Sequence, residues 1–183
     1  IGANQNGIHH MEWTADPLRS VNGKVNVEKL GTTVKVYTID KYGLMASTLY
    51  GDIPTDRFTF EWDLTSPRTL QRLLDVNSGK YKSSSLPEVE SIPTAVVDES
   101  GHAVVPQSEM VKVEIPGDID QLDDKSKATE RQRLRIIFSA LMTTAKANSG
   151  QEHITEGQYT VVGLVTGVDK TTEQRKSFYI LKC

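Results

Sequence analysis

The basic residues between positions 125 and 146 are the side chains whose spacing best suits a chemical role. Six Lys or Arg residues stand here against one acid, Glu130. Cations clustered on one segment bind phosphate oxygens, whether of an RNA backbone or of lipid headgroups. The candidate residues for an anionic partner are Lys125, Lys127, Arg131, Arg133 and Arg135. The alternative is a solvated helix face with ion pairs between neighbouring turns.

The four histidines have neither catalytic nor metal-ligating spacing. They are His9, His10, His102 and His153. Adjacent residues of an extended chain point to opposite sides, so the pair at positions 9 and 10 does not favour a shared metal ion. The chain contains no phosphate-binding glycine loop, nucleophile elbow or HExxH motif. We therefore expect no enzymatic activity, cofactor or metal; a hydrolase or transferase using His102 or His153 is the remaining enzymatic alternative.

One long helix must position the basic residues. Apolar residues recur at helical period at positions 134, 137, 138, 141, 142 and 145. The acidic run from Asp118 to Asp124 suits the positive end of a helix dipole, and its spacing is wrong for an EF-hand calcium loop. Asn148, Ser149 and Gly150 then supply residues that end helices. The pattern predicts a helix over Lys125–Gly150, with Arg131 and Arg135 beside the apolar stripe and Arg133 on the far side.

Strand patterns fill most of the remaining chain. Alternating or β-branched runs occur at 32–39, 57–63, 94–97, 102–105, 110–115, 159–166 and 177–182, with a further strand or irregular run at 44–50. A short helix follows Ser66-Pro67, with Leu70, Leu73 and Leu74 as its expected buried stripe. Strands and helices do not alternate as βαβ units. The expected fold is therefore α+β, a mostly antiparallel sheet covered by one long and one short helix.

The expected domain organisation is a flexible N-terminal arm at 1–20 and a single α+β domain at 21–183. The arm lacks periodicity, and its apolar residues are expected to dock it on its own domain or on a neighbouring copy. The candidates for self-association are Ile8, Met11 and Trp13. Residues 80–93 contain three consecutive serines and two prolines, which predicts a mobile loop within the domain.

Composition limits the class of protein further. The net charge is −3, so a general coating of nucleic acid is not expected. No apolar run approaches the roughly 20 residues that a membrane-spanning helix needs. Cys183 is the one cysteine, which excludes an intrachain disulfide and favours a reducing compartment.

The closing segment GLVTGVDKTTEQRKSFYILKC, together with the long helix before it, resembles the matrix proteins of negative-strand RNA viruses, especially plant-infecting rhabdoviruses. The resemblance is one of architecture over residues 30–183, without a late motif and with an acidic net charge where that family is often basic. It implies a virion protein of the host cell interior that forms homo-oligomers and links the nucleocapsid to an anionic membrane surface. The alternatives are a viral capsid or movement-type protein, or a small RNA-binding module.

Overall fold

The computed structural model describes residues 7–43, 55–146 and 153–183. Three expectations fall outside these residues: the first part of the arm at 1–6, the run at 44–50 and the helix end at 148–150.

Within these ranges the chain forms ten strands, three α-helices and short π- and 3₁₀-helical turns. The strands are β1 (His10–Ala15), β2 (Thr33–Ile39), β3 (Arg57–Asp63), β4 (Val96–Val97), β5 (Ala103–Val104), β6 (Met110–Pro116), β7 (Thr143–Lys146), β8 (His153–Thr155), β9 (Thr160–Val168) and β10 (Arg175–Lys182). The helices are α1 (Ser20–Gly23), which continues as a π-helical stretch (Lys24–Lys29), α2 (Pro67–Asn77) and α3 (Asp124–Leu141).

Eight strands form one sheet, in the order β1-β3-β2-β9-β10-β6, with β7 beside β2 and β8 beside β7. Every pairing is antiparallel except that of β2 with β7. Strands β4 and β5 make a separate hairpin. The predicted α+β class with a mostly antiparallel sheet is therefore confirmed.

The main core lies between this sheet and α3. Phe138 of α3 contacts three aromatic rings of the sheet, with ring centroids 5.5 Å from Tyr37, 4.8 Å from Phe58 and 6.2 Å from Tyr179. A register shift between Val34 and Val36 in β2 turns Val34 and Tyr37 into the core. These ring contacts show that α3 packs against the sheet, which is one part of the predicted cover by two helices.

The long helix ends earlier than its apolar period indicates. It stops at Leu141, and Met142 already has extended backbone angles. The residues that follow form β7, in which Thr143 and Thr144 pair in parallel with β2. β-Branched residues favour strands, and the sheet offers hydrogen bonds that a further helical turn cannot. The prediction of a helix to Gly150 is therefore wrong for residues 142–146, although Met142 and Ala145 are buried as expected.

The prediction of an N-terminal arm is corrected for residues 10–20. Residues His10–Ala15 are β1, which pairs along its whole length with β3. Trp13 stacks on Phe60, and Leu18 is fully buried in the main core. Residues 10–15 alternate polar and apolar side chains, which is the period-two pattern of a strand that the arm prediction did not use.

Candidate functional site: charged contacts of α3 and the outward face of α2

Arg131 and Arg135, two of the predicted anion-binding residues, form ion pairs inside the protein. Arg131 is 8% exposed, and its Nη1 and Nη2 donate to the two carboxylate oxygens of Asp16 at 3.2 and 2.8 Å. Arg135 donates from Nε and Nη2 to Asp56 at 3.0 and 2.6 Å. Both partners lie far away in sequence, so helical spacing alone could not reveal them. The two ion pairs therefore connect α3 to the residue after β1 and to the residue before β3.

Asp56 is fully buried and receives two further hydrogen bonds. The Tyr37 hydroxyl donates to one carboxylate oxygen, and the Asp40 amide donates to the other at 2.9 Å. Burial and then the Asp56 charge raise the pKa of Tyr37 well above its usual range, so the phenol stays protonated and acts as a donor. A buried carboxylate with this many partners is a structural anchor.

The other three predicted residues lie nearer the surface. Arg133 donates to Glu130 at 3.0 and 2.7 Å and to the Glu114 carbonyl oxygen at 2.6 Å. Lys127 lies 3.8 Å from Asp124 in an ion pair, whereas Lys125 is exposed. The five predicted residues therefore do not form one surface, and two of them, Lys125 and Arg133, line the same groove.

This groove is open, has a volume of about 820 Å³, and lies between the first half of α3 and the ends of β6 and β10. Its basic lining residues are Lys125, Arg133, Arg175 and Lys176, and its acidic ones are Glu114 and Glu130. Lys176 is also paired with Asp169 at 2.7 Å, and this contact lowers the pKa of Asp169 to about 2. The groove could hold one anionic group near Lys125 and Arg175, but half of its cations are already paired.

The apolar stripe of helix α2 faces outward, opposite to the sequence prediction. Ser66 caps it and Pro67 begins it, as predicted. However, Leu70 is 47% exposed and Leu74 is 63% exposed, so the expected buried stripe faces outward. Leu73 is half-buried. The prediction of a buried leucine stripe is therefore wrong for Leu70 and Leu74.

Two arginines and a threonine occupy the inward side of α2 instead. Arg68 donates to the carbonyl oxygens of Gly31, at 2.9 Å, and Val162. Arg72 donates to the carbonyl oxygen of Glu28, and Thr69 is buried. A Cβ on Gly31, whose φ is +77°, would lie 3.3 Å from the Arg72 side chain, so this glycine permits the close approach. The acceptors are backbone carbonyl oxygens of segments distant in sequence, so the α2 sequence alone could not predict these contacts.

The segment after α2 is held against the same arginine face. The amides of Lys80 and Tyr81 donate to the Asp75 carbonyl oxygen at 2.9 Å, and the Arg72 guanidinium lies 5.1 Å from the Tyr81 ring centre. Further along, Val89 packs in a second cluster with Val165 and Ile180. These contacts anchor parts of 80–93, and the mobility of this loop stays a prediction.

The predicted self-association residues lie on or beside β1. Ile8 and Met11 are exposed, whereas Trp13 is half-buried against Phe60. Strand β1 ends the sheet, and among the described residues no strand pairs with its outer side. The His10 Nε2 atom lies 3.0 Å from the Glu12 Oε1 atom.

Comparison with protein-family models, with curated proteins and with solved structures finds no match for this chain. In the part of the chain that the structure describes, no three His, Cys, Asp or Glu side chains are grouped so that they could hold a metal ion. None of the described helices has the length and apolar character to cross a membrane. The side chain of His153 lies outside the described residues.

Proposed function

We propose that this chain is a non-catalytic structural protein of the matrix type, which self-associates and links a nucleocapsid to an anionic membrane within a virion and its host cell. The observation that carries the proposal is the outward apolar face of α2. Leu70 and Leu74 stand one helical turn apart, and the inward side of the helix is held by arginines. An apolar face held outward in this way suits contact with another surface.

Charge favours a membrane as the occupant of this face. Of the four cations in residues 67–82, Arg68 and Arg72 are turned inward, whereas Lys80 and Lys82 are exposed and can face an anionic surface. The backbone bonds of Lys80 and Tyr81 to Asp75 hold Lys80 beside the last turn of α2, and Lys82 follows directly after Tyr81. Each cation near an anionic bilayer contributes about 1 kcal/mol. Leucine burial adds roughly 1.5–3 kcal/mol per side chain when complete.

A single copy would bind weakly by these contributions, and self-association would strengthen the attachment. Linked copies convert each further contact into an intramolecular event, so the avidity of an oligomer exceeds the affinity of one chain. A matrix-type layer depends on this combination of weak contact and repetition. The open edge of β1, with Ile8 and Met11 exposed beside it, supports the self-association part of the proposal.

Vesicle flotation tests the membrane part. The wild-type chain is expected to float with vesicles of phosphatidylcholine and phosphatidylserine, and to float less with phosphatidylcholine alone. Leu70→Ser with Leu74→Ser should reduce the floated fraction at least about tenfold, because each replacement removes an apolar contact of about 1 kcal/mol or more.

The matched control is Val96→Ser with Val104→Ser. These two valines are opposite each other in the β4–β5 hairpin and are 45% and 46% exposed. Their replacement removes a similar apolar area elsewhere and should leave flotation unchanged. Equal loss in both double variants, or no flotation of the wild type, would contradict the proposal.

The basic groove favours one second candidate, an RNA-binding module. Lys125 and Arg175 are exposed there, beside Arg133 and Lys176. If single-stranded RNA binds in the groove, Lys125→Ala with Arg175→Ala should reduce the slope of log affinity against log salt by about 1.4. The Leu70→Ser, Leu74→Ser variant should leave RNA retention unchanged. An unaltered salt slope would exclude this groove as the RNA site.

A further inference from the structure

The outer edge of β1 exposes an ordered set of backbone hydrogen-bonding groups. The Leu64 amide donates to the His9 carbonyl oxygen at 2.9 Å, so residue 9 directs its backbone groups toward β3. Backbone direction alternates along an antiparallel strand. The backbone groups of Met11 and Trp13 therefore also face β3. Those of His10, Glu12 and Thr14 point away from the sheet. Within the described ranges, no strand pairs with these outward donors and acceptors of the six-residue β1.

The side chains of β1 are complementary to those of an antiparallel second β1. His10 and Glu12 lie on one face of β1, with His10 Nε2 3.0 Å from a Glu12 carboxylate oxygen. Met11 and Trp13 lie on the other face, and Met11 is 40% exposed. A strand with a histidine and a glutamate two residues apart can pair with an antiparallel copy of itself so that each histidine lies opposite a glutamate.

We propose that β1 pairs antiparallel with β1 of a second copy, about a two-fold axis at Met11, so that His10 of each copy lies opposite Glu12 of the other. The two eight-stranded sheets then become one continuous sheet. The inference rests on the self-association in the proposed function and supplies its geometry. Met11 of both copies meets at the axis, and Ile8 lies opposite Thr14 of the second copy.

Other registers are less favourable. A two-fold axis at Glu12 would place the two Glu12 carboxylates directly opposite each other, and like charges in that position destabilise a strand pair. An axis at Trp13 would set Glu12 opposite Thr14 and lose the histidine–glutamate match. Of the three registers, the one centred on Met11 alone pairs opposite polar groups and covers the exposed methionines.

Disulfide trapping tests the register. In a Cys183→Ser background, Met11→Cys places two sulfurs at the axis, in a pair without hydrogen bonds whose Cα atoms are about 4.5 Å apart. Mild oxidation of the purified chain should give a disulfide-linked dimer. Glu12→Cys is the matched control, because its nearest copy is a diagonal neighbour at about 7–8 Å and should cross-link at least tenfold more slowly.

A proline on the edge tests the pairing independently of oxidation. Glu12→Pro removes an amide that faces outward and leaves the bonds between β1 and β3 in place. Native mass spectrometry should then show monomer where the wild type shows dimer, with an unchanged thermal transition as the check on folding.

The outcomes separate this inference from the proposed function. A wild-type dimer that persists in Glu12→Pro, or faster cross-linking of Glu12→Cys than of Met11→Cys, would overturn the β1 pairing and leave self-association standing. A wild-type chain that is monomeric at every concentration would overturn both. Flotation is measured separately, and its comparison between the wild type and the Leu70→Ser, Leu74→Ser variant reports on the membrane contact rather than on the β1 pairing.

Discussion

At the scale of single residues, the basic side chains of α3 serve the fold more than they serve a partner. Arg135 and Asp56 are the clearest pair, because Asp56 is fully buried and also receives hydrogen bonds from Tyr37 and Asp40. Replacement of Arg131 and Arg135 by alanine would therefore lower stability before it reported on any anionic ligand. A surface test must use Lys125 and Arg175 instead.

Arg135→Met is expected to lower the free energy of unfolding by about 3 kcal/mol, because it leaves the Asp56 carboxylate buried without its cation. Urea denaturation measures the change. Arg133→Met is the matched control on the same helix; its Glu130 pair is partly solvated, and the expected loss is about 1 kcal/mol or less. Equal losses in the two variants would contradict the anchoring role of Arg135.

Glu28 provides a prediction about pH. Burial, the largest cause, raises the pKa of Glu28, and a hydrogen bond from Tyr81 opposes this effect. A carboxyl whose pKa is higher in the folded than in the unfolded state binds protons more tightly when folded. Its contribution to stability therefore falls as pH rises from the unfolded toward the folded pKa.

Glu28→Gln removes this titration. The free energy of unfolding of the variant, minus that of the wild type, should be greater at pH 7 than at pH 4. Denaturation curves at the two pH values provide the comparison. A difference that is constant with pH, or larger at pH 4, would show that Glu28 is not the destabilised carboxyl.

At the scale of elements, the sequence predicts those parts whose apolar face meets the core directly. Strand β3 alternates as expected, with Phe58 and Phe60 buried, and α3 buries Leu134 and Phe138. Helix α2 has an equally clear pattern and the opposite orientation. Its inward side depends on the carbonyl oxygens of Gly31, Val162 and Glu28, which tertiary structure alone brings to Arg68 and Arg72.

The same reasoning explains the other sequence-based errors. The end of α3 depends on the parallel pairing of Thr143 and Thr144 with β2, which local propensity could not show. The charge partners of Arg131 and Arg135 are 115 and 79 residues away. Periodicity predicts an element and its apolar face. It does not identify the distant groups that satisfy the polar face.

The orientation of α2 can be checked by stability. Leu70→Ser with Leu74→Ser should change the free energy of unfolding by about 0.5 kcal/mol or less per site, because both side chains are already exposed. Phe138→Ala, on the core face of α3, should cost about 3–5 kcal/mol. Thermal or urea denaturation gives both values. A large loss in the leucine variant would mean that this face is covered within the chain.

At the scale of the whole molecule, residues 10–18 are part of the folded unit. Residues 10–18 supply an edge strand, the Asp16 carboxylate that pairs with Arg131, and the fully buried Leu18. Removal of residues 1–20 is therefore not a clean test of self-association. Strand addition at β1 has to be blocked by a substitution on its outer edge.

Deletion of residues 1–20 is expected to lower the free energy of unfolding by about 3–5 kcal/mol, since Arg131 would remain buried without Asp16. For a chain of this size, that corresponds to a fall in Tm of roughly 10 °C. Differential scanning calorimetry measures it. An unchanged Tm would show that the segment is dispensable for the fold.

The strand order has a consequence for how the chain is made. Strand β2, near the start of the chain, adjoins β9 in the middle of the sheet, and β10 separates β9 from β6. A ribosome therefore releases most of the sequence before β9 and β10 exist, and Val34 and Phe58 lack their neighbours from these two strands until then. Pairing between such distant segments also makes folding slow. We expect a chain that stops at residue 158 to show no cooperative unfolding transition by circular dichroism, and to require a chaperone during synthesis.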